Sequence, residues 1–83
     1  RMRPVNKRGM TLHQREIYNF LKKFYKTYGI YPTIREIANG EIDGEQYIKR
    51  RKHHSATHET IKRLIEKGWV ENNPGRWRAL SIV

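Results

Sequence analysis

Two short cassettes of the same design cut this chain into short helices. Thr11 stands three residues before Gln14, and Thr33 stands three before Glu36. At such a spacing, the threonine hydroxyl and the longer polar side chain each satisfy a free backbone N–H of the other's residue, which starts a helix. Behind the first cassette, Ile17, Phe20, Leu21, Phe24 and Tyr28 recur at helical period. They form one apolar stripe, with Tyr18 and Tyr25 expected at its boundary. Gly29 ends the helix, because glycine enters the left-handed region at little cost. Tyr31 must be extended, since Pro32 restricts the residue before it. Behind the second cassette, Ile34, Ile37 and Ala38 supply a buried side, and Asn39–Gly40 stops the helix.

A third helix opens at Ser55. Thr57, Ile61, Leu64 and Ile65 share its core face, Ser55, Ala56, Glu59, Lys62, Arg63 and Glu66 lie on or near the other side, and Gly68 terminates it. The remainder predicts a hairpin. Trp69 and Val70 are β-formers, Asn72 to Gly75 carry turn chemistry, and Arg76 to Val83 alternate with Leu80 and Ile82 on one face. The class expected is α+β, mainly α: three helices, then a two- to three-stranded β-hairpin. Residues 1–10, with Arg1, Arg3, Lys7 and Arg8, predict a flexible basic arm ahead of one domain over 11–83. Residues 41–54 are expected to be irregular or partly helical, with Ile42, Tyr47 and Ile48 either prolonging the second helix or packing a loop on the core.

An 83-residue chain buries only about 60% of its unfolded surface, enough for one modest core. Its 18 Lys and Arg against 8 Asp and Glu leave a net charge of +10. Such a surplus favours a polyanionic partner, nucleic acid ahead of an anionic membrane surface. The charge is clustered, which argues against a mere solubility coat. There is no cysteine, hence no disulfide framework and no thiolate metal site, a composition compatible with the cytoplasm. No apolar run approaches the roughly 18 residues of a membrane span, and the charged first residues lack the apolar segment of a signal peptide.

Three helices followed by a hairpin is the order of a winged helix-turn-helix domain, in which the third helix presents its N-terminal half to a DNA major groove. The residues carry a closer likeness. Pro32–Thr33–Ile34–Arg35–Glu36–Ile37–Ala38, the helix end Leu64–Ile65–Glu66–Lys67–Gly68, and Asn73–Pro74–Gly75–Arg76–Trp77–Arg78–Ala79–Leu80 occur in this order. With the opening helix, they resemble the N-terminal DNA-binding domain of the LexA repressor family over residues 11–83. The resemblance implies double-stranded DNA binding by a bacterial or phage transcriptional regulator of repressor type, with a homodimer on DNA left open. The interval from Ala38 to Ser55 departs from it: it is longer than the family's tight turn, by about two helical turns if laid out as helix, which makes about 40–54 an insertion. The family's C-terminal protease and dimerisation domain has no counterpart among these residues, so no Ser/Lys self-cleavage is assigned.

Phosphates dominate affinity and base edges supply sequence information. Lys49, Arg50, Arg51 and Lys52 precede the third helix and are expected to contact strand phosphates, joined by the free N–H groups of the helix's first turn. Unbound, these four cations repel one another and the helix dipole, so the segment is expected to be mobile. Lys62, Arg63, Arg76 and Arg78 are the further phosphate candidates. Ser55, Ala56, His58 and Glu59 are the base-contact candidates. Of these, Glu59 suits the cytosine amino group, serine either sense of hydrogen bond, and alanine a thymine methyl. Glu59 is equally placed to pair with Arg63 one helical turn on. Trp77 is expected to pack under the hairpin, with stacking on sugar as its alternative.

An enzyme reading finds no support. His54 and His58 have metal-compatible spacing, but no HExxH accompanies them, and Glu41, Asp43 and Glu45 lack calcium-loop spacing. No cofactor, metal or catalytic residue is expected. The alternative function is a protein-binding adaptor or anti-repressor that makes contact through residues 41–48. RNA ranks third, because the aromatic motifs of single-strand readers are missing.

Overall fold

A computed structural model describes residues 9–83. The basic arm expected over 1–10 therefore lies outside the described residues apart from Gly9 and Met10. The described chain runs α1 (Leu12–Tyr28), α2 (Ile34–Asn39), β1 (Glu41–Ile42), β2 (Glu45–Gln46), α3 (Ser55–Glu66), β3 (Val70–Asn72) and β4 (Leu80–Ile82).

Both cassettes form the bonds their spacing predicts. The Thr11 hydroxyl accepts from the Gln14 N–H at 3.2 Å while Gln14 Oε1 accepts from the Thr11 N–H at 3.2 Å. The Thr33 hydroxyl accepts from the Glu36 N–H at 3.2 Å, and Glu36 Oε1 accepts from the Thr33 N–H at 2.8 Å. Gly29 and Gly40 close α1 and α2 in the left-handed conformation, at φ 76° and 73°.

α1 packs against α2, α3, β1 and β4. Its Ile17, Phe20, Leu21 and Phe24 join Ile37, Ile42, Ile61, Leu64, Val70 and Leu80 in one core. Leu21 and Leu64 are wholly buried, each contributing about 1.5–3 kcal/mol relative to exposure. Thr57 and Thr60 are buried too. Thr60 stays satisfied by donating its hydroxyl to the Ala56 carbonyl at 3.0 Å. The α3 end is fastened to the α1 start by Lys67, whose ammonium donates to Gln14 Oε1 at 2.7 Å and to the Gly9 carbonyl at 2.9 Å.

Three expectations are corrected. Tyr28, placed on the core stripe, is 46% exposed. Its ring lies edge-on to Phe24 at 4.6 Å, and its hydroxyl accepts from the Asp43 N–H at 2.7 Å, so the phenol is held at the surface by its polar end. Residues 41–46 are neither helix nor plain loop but an antiparallel hairpin, with Glu41 opposite Gln46 and Ile42 opposite Glu45. Asp43 and Gly44 both have positive φ, 52° and 82°, the requirement of a two-residue hairpin turn that matches strand twist. This hairpin buries Ile42 in the core and leaves residues 47–54 irregular.

The third correction concerns Trp77, expected to pack but 85% exposed. β3 pairs with β4 from Val70–Ile82 to Asn72–Leu80. Beyond that pair, the Asn73 backbone N–H and side-chain amide both donate to the Ala79 carbonyl, at 2.7 and 3.0 Å. The loop is thus pinched shut at its base, and Trp77 is carried past the end of the sheet, out of reach of the core.

Candidate nucleic-acid interface

The exposed side of α3 carries the base-contact candidates together. Ser55, Ala56, His58 and Glu59 occupy its first turns and are all exposed, followed by exposed Lys62 and Arg63. Unlike α1 and α2, this helix has no side chain bonded over its N-terminus; its N-cap is His54, and its first turn holds no acid. The first-turn N–H groups are therefore left for solvent or a ligand anion. Arg63 lies 3.2 Å from Glu59 and 3.8 Å from Glu66, with 56% of the Arg63 and Glu59 side chains exposed. Pairs so exposed stabilise by at most about 1 kcal/mol and exchange readily, so Glu59 and Arg63 remain free to be redirected.

The cationic run lies against the end of α2. The Tyr47 N–H donates to the Gly40 carbonyl at 2.8 Å and the Arg51 N–H to the Ala38 carbonyl at 2.8 Å. The Gln46 amide bridges the carbonyls of Asn39 and Ile48, each at 2.7 Å. These bonds tie down a backbone that charge repulsion alone would loosen. Lys49, Arg50 and Lys52 are exposed, whereas Arg51 is half-buried with its guanidinium 3.4 Å from His13 Nδ1. Arg50, Arg51, Lys52 and His54 border a crevice of about 490 Å³ opposite Arg35. Arg35 was not among the candidates from sequence. Its signal was present: an arginine at the second position of a short helix, on the side away from Ile34, Ile37 and Ala38.

The hairpin of β3 and β4 divides its cations. Arg76 is exposed near its tip. Arg78 instead turns back onto α2: its guanidinium donates to Glu36 Oε1 at 2.6 Å, to Glu36 Oε2 at 3.1 Å and to the Tyr31 carbonyl at 2.9 Å. One carboxylate thus completes the α2 cap and anchors the hairpin, a geometry in which charge-assisted bonds are strong. The Arg78 bond, opposed by partial burial and aided by the Thr33 N–H, holds the Glu36 carboxyl below its ordinary 4.5. A carboxylate with a depressed folded pKa stabilises above the unfolded value and loses that contribution as pH falls through the folded value. Arg78→Ala should therefore cost on the order of 1 kcal/mol at neutral pH after allowance for solvent screening, with a melting temperature lower by about 5 °C. The gap between variant and parent should close as pH falls below 4.5, as read from thermal melts across pH.

Between α3, the α2 start and the hairpin runs an apolar-floored groove of about 370 Å³, lined by Ile34, Ile61 and Ile65, by His58 and Lys62, and by Trp77. The exposed α3 face and the hairpin therefore border a common groove. No helix of the described residues is long and apolar enough to cross a membrane.

Three helices and two small antiparallel sheets, with an open third helix beside a C-terminal hairpin, are consistent with the winged helix-turn-helix class. Comparison with known proteins carries the assignment further. The chain is 38% identical over 76 residues to the LexA repressor of Staphylococcus epidermidis, a match covering 92% of this chain and 33% of that protein. The LexA repressor of Staphylococcus aureus strain Newman matches with the same identity and coverage. The chain is similar to these LexA repressors over nearly all of its own length, and it spans about a third of the length of the curated relatives it matches. No family model matches it.

Proposed function

We propose that this domain binds double-stranded DNA as part of a bacterial transcriptional repressor, with α3 in the major groove and the C-terminal hairpin on the backbone. The observation that carries the reading is the α3 N-terminus: an uncapped, acid-free first turn with exposed Ser55, Ala56, His58 and Glu59, bordered by a cationic crevice. Phosphates supply what that end lacks, since they accept from free N–H groups and neutralise Lys49, Arg50, Lys52 and Arg35. Lys62 and Arg63 extend the phosphate track along α3. Arg76 reaches backbone from the hairpin, and Arg78 contributes chiefly by fixing the hairpin to α2. The protein works in the cytoplasm, on the nucleoid when DNA-bound. A domain this small covers one short half-site, so two copies bind side by side as a homodimer.

Glu59 acts as a filter. Its carboxylate accepts from a cytosine amino group and is repelled by acceptor edges. Glu59→Ala should relax preference at one base position by about 1–3 kcal/mol per mismatch and change affinity for other sequences little. Competition between single-position variants of a selected site measures this. The reading as a whole is tested by duplex binding across salt concentrations. A linear fall of log affinity with log salt supports it, and absence of duplex binding at low salt rejects it.

A second reading, a protein contact through residues 41–48, is favoured by one observation: Glu41, Asp43, Glu45 and Tyr47 are all exposed on and beside the small hairpin. Binding to a protein target with no preference for DNA would support it.

A further inference from the structure

The groove between α3 and the C-terminal hairpin contains one residue that neither folding nor charge explains. Trp77 is the most exposed of the large apolar side chains in the described residues, at 85%, so it contributes little to the core. It is also not an accident of a loose loop, since Asn73 closes the loop base through the Ala79 carbonyl and Arg78, the next residue, is locked to Glu36. The indole is therefore presented from a fixed base. Its neighbours across the groove are His58 and Lys62 of α3, while Arg76 lines a different depression, beside Tyr25 and Tyr31. Toward α3, then, the hairpin offers an aromatic face and not a cation.

We propose that Trp77 is a DNA contact, its indole packing against the deoxyribose of a nucleotide whose phosphate Lys62 holds. The inference rests on the DNA-binding reading above. A strand passing between α3 and the hairpin presents phosphate outward and sugar inward. A cation on one wall and a broad apolar ring on the other match those two parts. Packing on the sugar tolerates any base, because the deoxyribose offers the same apolar face at every position. Trp77 thus adds affinity without adding sequence preference, the complement of the role given to Glu59.

The chain has a second tryptophan, Trp69, half-buried with its ring edge-on to Tyr18 at 5.4 Å. A Trp69→Phe variant leaves Trp77 as the sole indole emitter. Titrated with a mixed-sequence oligonucleotide duplex at low salt, its emission should be quenched and blue-shifted in step with binding followed by anisotropy of the labelled duplex. Trp77→Ala should lose about tenfold in affinity, the size of one lost aromatic–nucleotide contact, with an unchanged melting temperature and an unchanged salt slope. Trp77→Phe, which keeps a ring, should retain most of the affinity. If Trp69→Phe fails to fold, fluorine resonances of 5-fluorotryptophan in the parent protein, assigned through Trp77→Phe, give the same readout. Duplex binding with unchanged Trp77 signal and parent affinity in Trp77→Ala overturns the proposal while leaving DNA binding standing. No binding by the parent protein removes both.

Discussion

Replacing Lys49, Arg50, Arg51 and Lys52 together by glutamine is expected to weaken duplex binding by about 10²- to 10³-fold near 0.1 M salt, for every sequence alike. The size follows from counterion release. Each phosphate neutralised contributes about 0.9 to the slope of log affinity against log salt. Three of the four side chains are exposed, whereas Arg51 is half-buried beside His13, so three phosphates are assigned to the run. The slope should flatten by about 2.7, which between 0.1 and 1 M salt amounts to about 500-fold in affinity. The fold should survive, because the run is held by backbone bonds at Tyr47 and Arg51 that glutamine keeps. Anisotropy titrations across salt, with thermal melts as the control for folding, make the measurement. An unchanged slope in a folded variant would remove the run from the interface.

Gly40→Ala should be the most damaging single substitution outside the apolar core, at about 3 kcal/mol or more. Two effects add. The residue sits at φ 73°, where a side chain costs about 1 kcal/mol relative to glycine. A methyl there would also collide with the Ile48 carbonyl and lie 2.8 Å from the Gln46 amide, and neither is free to withdraw. Gln46 bridges two carbonyls, and Ile48 is partly buried against the core. Relief requires residues 46–52 to move off the end of α2, and the cationic run moves with them. The substitution should therefore lower both thermal stability and duplex affinity. Gly29→Ala serves as its control: the same left-handed conformation at φ 76° but no atom within 4 Å of the added carbon, so only the conformational cost remains. Equal losses in the two variants would show that close approach at Gly40 does not hold the segment.

The elements whose signals are local were legible in sequence. Thr11–Gln14 and Thr33–Glu36 each carry a complete cap within four residues, and Gly29 and Gly40 end the helices they follow. The core faces of α1 and α3 were legible from period alone, apart from Gln14, Tyr28 and Thr60. Tyr28 continues the stripe geometrically, but its hydroxyl meets the Asp43 N–H, a contact 15 residues away that no periodicity reports. The β1–β2 hairpin was missed although Asp43–Gly44 is a turn signal; strands of two residues are too short to show alternation. The cationic run and the open face of α3 were visible as candidates, as composition and period allow. What was not visible is how individual cations are committed. Arg76 and Arg78 look alike in sequence, yet only the fold brings Glu36 to Arg78 and leaves Arg35 facing the crevice with Arg50. Trp77 was misjudged for the same reason: its exposure depends on where the Asn73–Ala79 pinch closes the loop.

The most direct measurement is selection of bound duplexes from a random pool by the folded domain, repeated at rising salt. DNA recognition through the open face of α3 predicts enrichment of a short motif, recurring at one fixed spacing when two copies bind, with retention falling steadily as salt rises. Retention without any enriched sequence, or no retention even at low salt, would contradict it.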